Sequence, residues 1–280
     1  MAHKREEHDA PTSFSLAPQK ETVSLTLPHV VSLPALLDQP VAEPDWLIPG
    51  LLPTGVSLLA GPARVDKPLL ANQLGLSVAT GAPFLGRLPA RQGRVLYLAL
   101  AESALHVRGR VVNLLRDQRY PDTFHLAFQW SPFRQGGLAD LEDTIASLEE
   151  PRLIIVDPLE FVLPLRSDAN QASGYRVRQS NVVETTLNFF LPLRELAVRY
   201  DLAILLLHHL PDDWPTNRRD PLAGLSPTGL TPASTCNLLL TPAHDPWSCN
   251  LHLAGPNVAE CRLSLAFDRS SQQWLCEEEK

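Results

Sequence analysis

No uninterrupted apolar run in the 280-residue chain approaches the roughly 18 residues that a membrane-spanning helix needs, so a helical span is not expected. The opening Met-Ala-His-Lys-Arg-Glu-Glu-His has no apolar region behind it, which argues against a secretory leader and for a cytoplasmic protein. Cysteine is scarce and confined. Cys236, Cys249, Cys261 and Cys276 all lie in the last quarter, spaced too widely for paired zinc knuckles and without the context for disulfides, so they read as buried or incidental thiols. Positive charge is also short: 24 Lys and Arg against 31 Asp and Glu leave a net charge of −7. The chain as a whole therefore offers no attraction to nucleic acid or an anionic membrane, and any such contact falls to local arginine clusters.

What is present suffices for a sizeable core, since 44% of the residues are hydrophobic, and the length allows one large domain plus a tail. Residues 1–40 are polar, bear Pro and Ser, and are weakly periodic; they read as a mostly disordered leader with a short helix at Leu33–Leu37. Residues 41–280 read as the domain. Trp46, Leu47, Ile48, Leu51 and Leu52 form a hydrophobic entry broken by Pro49-Gly50 and Pro53. Apolar runs then alternate with helical stretches, the pattern of crossover units on a parallel sheet buried on both faces. The expected strands are Val56–Ala60, Arg94–Leu100, Leu153–Asp157 and Leu202–His208, and the expected helices Lys67–Thr80, Ala104–Gln118, Leu138–Glu149 and Val182–Tyr200, the last kinked at Pro192. Beyond residue 235 the segments Cys236–Leu240, Cys249–Ala254, Arg262–Phe267 and Gln273–Cys276 are short and separated by turn residues, which predicts an antiparallel appendage over 236–280 on an α/β core over 41–235. The 26 prolines fall inside or beside several of these segments.

The stretch from Gly55 to Leu76 reads as strand, tight loop and helix. Its loop, Gly61-Pro62-Ala63-Arg64-Val65-Asp66-Lys67-Pro68, departs at two positions from the phosphate-cradling pattern G-x-x-x-x-G-K-[S/T]. A strand ending at Gly61 and a helix starting near Lys67 aim backbone N–H groups at one point, and Lys67 is placed to reach β- and γ-phosphates. Asp66 puts a carboxylate where glycine would let the backbone approach, and a like charge ~4 Å from a phosphate costs about 4 kcal/mol at an effective dielectric of ~20. Pro68 replaces the hydroxyl that would hold Mg²⁺ and removes an N–H. The same residues also read as an ordinary helix start, Asp66 capping and Pro68 in the first turn.

Three strand ends carry further candidates. Leu153-Ile-Ile-Val-Asp157-Pro ends in an acid at the carboxyl edge of the sheet, where ligands of α/β folds sit; Asp157 either orients Mg²⁺ or simply starts a turn. Two adjacent histidines on a strand face opposite ways, so His208 and His209 make no paired metal site; His208 reads as a satisfied edge histidine and His209 as the one available to a γ-phosphate. Glu102 either orients a water in phosphoryl transfer or begins a helix. Arg108, Arg110, Arg116 and Arg119, with Arg166, Arg176 and Arg178, lack interleaved aromatics and read as solvated faces rather than a base-stacking surface.

In collinear order these segments resemble the RecA-like P-loop ATPases of the RepA helicase type, usually called AAA-family ATPases. The resemblance rests on Trp46-Leu-Ile-Pro-Gly-Leu-Leu-Pro-x-Gly55, Leu58-Leu-Ala-Gly61, Leu76-Ser-Val-Ala-Thr-Gly-Ala-Pro-Phe-Leu-Gly86, Gln92-Gly-Arg-Val-Leu-Tyr-Leu-Ala-Leu100, Leu153-Ile-Ile-Val-Asp157-Pro, Ala203-Ile-Leu-Leu-Leu-His-His209 and Thr228-Gly-Leu-Thr231. It implies a RecA-like P-loop core with a mainly parallel sheet and C-terminal antiparallel strands, ATP and Mg²⁺ as cofactors, oligomers with RecA-like relatives or another protein partner, and action on single-stranded DNA. Lys67 matches the phosphate-loop lysine, Asp157 the second-motif aspartate and His209 the histidine ending the fourth strand. The departures fall on the chemistry. Besides Asp66 and Pro68, the family's Glu-Asp pair is Ala101-Glu102, so that Glu102 serves only if the strand end shifts by one residue. The basic pair after the histidines is Pro211-Asp212, and the Gly-Arg-Asp near the C-terminus is Gly255-Pro256-Asn257. The implied outcome is weak or absent ATP binding and a protein kept for interaction or regulation, with a working RepA-like ATPase as the alternative.

Overall fold

A computed structural model of the chain describes residues 32–38, 45–116, 119–163, 189–212, 222, 225, 234–256 and 258–277. It divides into two units, residues 1–43 and 44–280. In the first, the described residues hold the short helix α1 (Leu33–Leu37), over the residues expected; the rest of the expected leader lies outside the described residues.

The second unit is built on one nine-stranded sheet. A small ribbon of β1 (Trp46–Ile48) and β2 (Leu52–Pro53) leads into β3 (Gly55–Pro62), and α2 (Lys67–Thr80) follows. Then come β4 (Arg94–Ala99), α3 (Ala104–Leu115), β5 (Phe124–Ala127), α4 (Gly137–Ser147), β6 (Pro151–Asp157), α5 (Leu191–Tyr200) and β7 (Ala203–Leu210). A meander closes the chain: β8 (Cys236–Pro242), β9 (Ser248–Gly255), β10 (Val258–Asp268) and β11 (Gln273–Cys276). The order across the sheet is β11-β10-β9-β8-β3-β7-β6-β4-β5. β5, β4, β6, β7, β3 and β8 run parallel, and β8 through β11 antiparallel. The fold is thus α/β, with a mainly parallel sheet and antiparallel strands at its C-terminal side.

The central strands are apolar on both faces because both are covered. On one face Leu59, Val95, Tyr97, Ile155 and Leu205 meet α2 and α3; on the other Leu58, Leu96, Ile154 and Leu206 meet α4 and α5. α2 is buried along most of its length, which is why it lacks a polar stripe.

The structure adds to the sequence expectations at several points. β8 through β11 are antiparallel as expected, and β8 also pairs parallel with β3 through Ser57↔Cys236 to Ala60↔Leu239, so these strands extend the core sheet. Phe124–Ala127 is a strand, missed because its four residues lack alternation and follow Pro121-Asp122. The entry segment forms the β1–β2 ribbon. Pro192 lies in the first turn of α5, where its missing N–H is harmless; Phe190 before it is helical as well, and the rest of the expected helix, residues 182–188, lies outside the described residues.

Candidate functional site

The parallel register brings the carboxyl ends of β3, β4, β6 and β7 side by side: Gly61 lies opposite His209, and Ala99 opposite Asp157. The loop between β3 and α2 closes over this edge. A Cβ at Gly61 would come within 2.6 Å of the Leu240 carbonyl oxygen, so β8 passes too close for any other residue there. After Pro62, Ala63–Val65 make one 3₁₀ turn with Val65 buried, and the Asp66 N–H donates to the Ala63 carbonyl at 3.4 Å.

Asp66 adopts φ 44°, ψ 57°, the left-handed region in which a non-glycine residue costs about 1 kcal/mol. Its Oδ1 accepts the Leu69 N–H at 3.1 Å, capping α2, and Pro68 sits in the first turn. This is the capped-helix geometry. Next to it, Lys67 is fully buried, and its Nζ donates to the carbonyl oxygens of Gly61 at 2.6 Å and Pro62 at 3.0 Å. Burial lowers its pKa to about 8, although the charges of Asp157, Glu160, Asp66 and Asp212 all favour the ammonium.

Asp157, 3% exposed, accepts a 2.6 Å hydrogen bond on Oδ2 from the hydroxyl of Tyr97, itself wholly buried. Burial raises Asp157 to about 6, with the Tyr97 bond pulling the other way. Burial and the neighbouring carboxylate push the Tyr97 phenol well above its usual range. Tyr97 was not singled out from sequence; the available signal was a lone hydroxyl in an apolar strand, in line with Ile155 and therefore on the same face as Asp157.

Glu102 is also engaged. Arg110 donates from Nη1 and Nη2 to its two carboxylate oxygens at 2.6 and 2.7 Å, while the Ser103 hydroxyl, not Glu102, caps α3 by accepting the His106 N–H. Arg110 therefore departs from the expected solvated face; Arg108, Arg116 and Arg119 are exposed as expected. His208 is buried with Nδ1 2.5 Å from Glu160 Oε1, and the His209 N–H donates to the same oxygen at 3.3 Å. Burial, the largest single influence, pushes Glu160 upward, but the His208 contact together with the backbone hydrogen bonds at Glu160 and His209 holds the carboxyl below its usual range. The His209 side chain faces the other way and is exposed; desolvation and the Lys67 charge lower its pKa. Glu160 is a second site residue that sequence reasoning missed, three positions beyond Asp157.

Gly255 does not join this edge. Asn237 pairs with Leu58 on one side and Ala254 on the other, so Gly255 lies level with the start of β3, at the opposite end of the strands from Lys67. Asn257, Asp213, Arg166, Arg176, Arg178 and the Thr228–Thr231 stretch lie outside the described residues. Among the described residues no cluster of three or more His, Cys, Asp or Glu could hold a metal ion, and no helix is long and apolar enough to cross a membrane.

Residues 22–213, more than half of the chain, match the model of the family described as an AAA domain. No curated protein matches. Among solved structures the chain is similar to one titled as the crystal structure of the RadB recombinase, with a TM-score of 0.53 and 16% identity over 83% of this chain and 93% of that one.

Proposed function

We propose, for a chain that belongs to the AAA-domain family and carries the RecA-like P-loop ATPase fold, that the nucleotide site is closed from within and that the protein acts as an interaction or regulatory module in DNA-related processes. The observation that carries this reading is Lys67, whose buried ammonium is spent on the carbonyls of Gly61 and Pro62. To meet a phosphate it would have to give up two charge-assisted hydrogen bonds of about 1.5–3 kcal/mol each.

The neighbouring groups reinforce it. The Asp66 carboxylate occupies the N-terminus of α2, the position an anion would take. Pro68 supplies neither a hydroxyl for Mg²⁺ nor an N–H. Asp157, the one candidate for Mg²⁺, is held by Tyr97, and both oxygens of Glu102, the candidate for orienting water, are held by Arg110. A Mg²⁺-bound triphosphate does not suit this donor set, and His209 alone supplies no phosphoryl transfer. Positioning and electrostatics provide nearly all the acceleration of that reaction, and here both are directed inward.

The partner is a protein, either a RecA-like relative in a shared oligomer or another chain. The competing reading, a working ATPase of the RepA helicase type on single-stranded DNA, draws on the placement of Lys67, Asp157 and His209 at one edge. Titration with labelled ATP and Mg²⁺ separates the two. No saturation is expected below millimolar ATP. Micromolar affinity lost in Lys67→Met, or phosphate release stopped by Glu102→Gln, would establish the competing reading.

A further inference from the structure

At the amino ends of the strands, the far end of β3 from the Lys67 loop, lies a half-open cleft of about 290 Å³. Thr54 and Gly55 at the start of β3, Arg194 and Val198 on α5, Asp201 just beyond α5 and Thr235 just before β8 line it. The backbone comes close here: Gly55 has φ 106°, and a Cβ on it would lie 2.4 Å from Thr235 Oγ1, so a side chain at this position would collide with the cleft wall.

The polar groups around the cleft are unequally engaged. Asp201, left-handed at φ 50° where α5 ends, is already committed: its Oδ2 meets Arg152 at 2.7 Å and Arg91 at 3.1 Å, and Arg91 also pairs with Asp45 at 2.6 Å. Arg194, exposed on α5, has no ion pair or hydrogen bond among the described residues. Thr235 Oγ1 accepts the Val56 N–H at 3.2 Å, which leaves its own proton to donate elsewhere, and the Thr54 hydroxyl has no partner among the described residues. What remains free is a set of donors. Of the charges on Arg91, Arg152, Arg194, Asp45 and Asp201, the one left uncompensated is positive, that of Arg194. Beside it Ala197 and Val198 supply small aliphatic surface, with Val198 81% exposed.

We propose that this cleft binds a free short-chain aliphatic carboxylate. The planar guanidinium of Arg194 matches the two oxygens of a carboxylate, and the hydroxyls of Thr54 and Thr235 add donors to the same group. The hydrocarbon body packs on Ala197 and Val198, and a volume at the lower end of small-molecule clefts suits an acid of a few carbons. Inorganic phosphate brings no hydrocarbon to cover Val198, and its second charge meets the Asp201 carboxylate, so a monoanion with an apolar body is selected. The cleft and the nucleotide loop lie at opposite ends of β3, at Gly55 and Gly61. The proposal therefore goes beyond the function proposed above, and the test of either can fail alone.

The test is a titration of sodium isovalerate into the isotope-labelled full chain at constant ionic strength, followed by the backbone amide shifts in NMR. Saturating shifts are expected at Gly55, Val198 and Thr235, with a Kd of about 1 mM. Arg194→Gln, an exposed change that leaves the core untouched, should weaken binding about tenfold, the scale of a lost charge-assisted hydrogen bond. Val198→Ser should weaken it about threefold through lost apolar contact. Isovaleramide, which has the same shape without the charge, should bind about tenfold more weakly than isovalerate, and inorganic phosphate should not saturate these shifts. Absence of saturation by isovalerate below about 10 mM would overturn the proposal. Equal affinity in Arg194→Gln, equal affinity for isovaleramide, or phosphate binding as tight as isovalerate would overturn it as well. So would shifts that saturate at the amides of Ala63 to Lys67 and not at the cleft.

Discussion

The interior of the sheet and its carboxyl edge follow opposite rules. Inside, β3, β4, β6 and β7 present Val, Leu and Ile to both helical layers, and the central register runs from Gly55↔Ala203 to Pro62↔Leu210 without a break. At the edge the charged groups are engaged by the chain's own groups: Lys67 by the loop carbonyls, Asp157 by Tyr97, Glu102 by Arg110 and Glu160 by His208. Burial is non-directional and tolerant whereas a ligand site needs each donor free and aimed, so the apolar scaffold does not itself dictate how the edge groups are partnered.

The comparison is broken or sharpened most by Lys67→Ala. If the lysine is a structural group, its loss leaves a cavity and two carbonyls without a donor, and stability measured by urea unfolding should fall by about 3 kcal/mol. A loss under about 0.5 kcal/mol, the range of a surface change, would return Lys67 to the role of a waiting ligand group.

The pH dependence of stability is the next largest effect. Asp157, raised from 3.8 to about 6, takes up its proton in the folded chain before it does in the unfolded one. Its contribution is therefore fully present below about pH 4 and is lost as pH rises through about 6, a span worth about 3 kcal/mol. Lys67, lowered from 10.5 to about 8, acts in the opposite sense: its contribution is present above about 10.5 and lost as pH falls through about 8. Together the two groups give a trough between about pH 6 and 8. Urea midpoints in Asp157→Asn should lose the acid arm of this trough, and an unchanged profile would mean that Asp157 is solvated.

Arg110→Ala should cost about 1 kcal/mol in thermal or urea unfolding, the scale of a partly exposed ion pair. Restoring that stability with the added substitution Glu102→Gln would show that the pair balances itself and serves no ligand. Asp66→Gly should change stability least, within about 0.5 kcal/mol, since relief of the left-handed backbone, about 1 kcal/mol, is opposed by loss of the cap, a few tenths for glycine, and by the greater freedom of glycine in the unfolded chain, about 0.4–1 kcal/mol. A gain above about 1 kcal/mol would mean that the cap contributes little.

The scaffold was largely legible in the sequence because period and length carry it: α2 over Lys67–Thr80 and β11 over Gln273–Cys276 stand where they were expected, and the central strands differ by a few residues at their ends. β5 was not legible, being short and without alternation, and neither was the parallel pairing of β8, since nothing in Cys236–Pro242 distinguishes a parallel neighbour from an antiparallel one. At the edge, the residues marked by motif position gathered as expected, but their partners did not announce themselves. Tyr97, Arg110 and Glu160 are ordinary residues in their own segments and acquire meaning only when β4, α3 and β6 bring them to Asp157, Glu102 and His208.

The central claim, a nucleotide loop held shut by Asp66, Lys67 and Pro68, is tested most directly by isothermal titration of ATP and Mg²⁺ into the wild type beside the double reversion Asp66→Gly with Pro68→Ser. The account predicts no saturable binding by the wild type and measurable binding by the reverted chain. Micromolar binding by the wild type would contradict it.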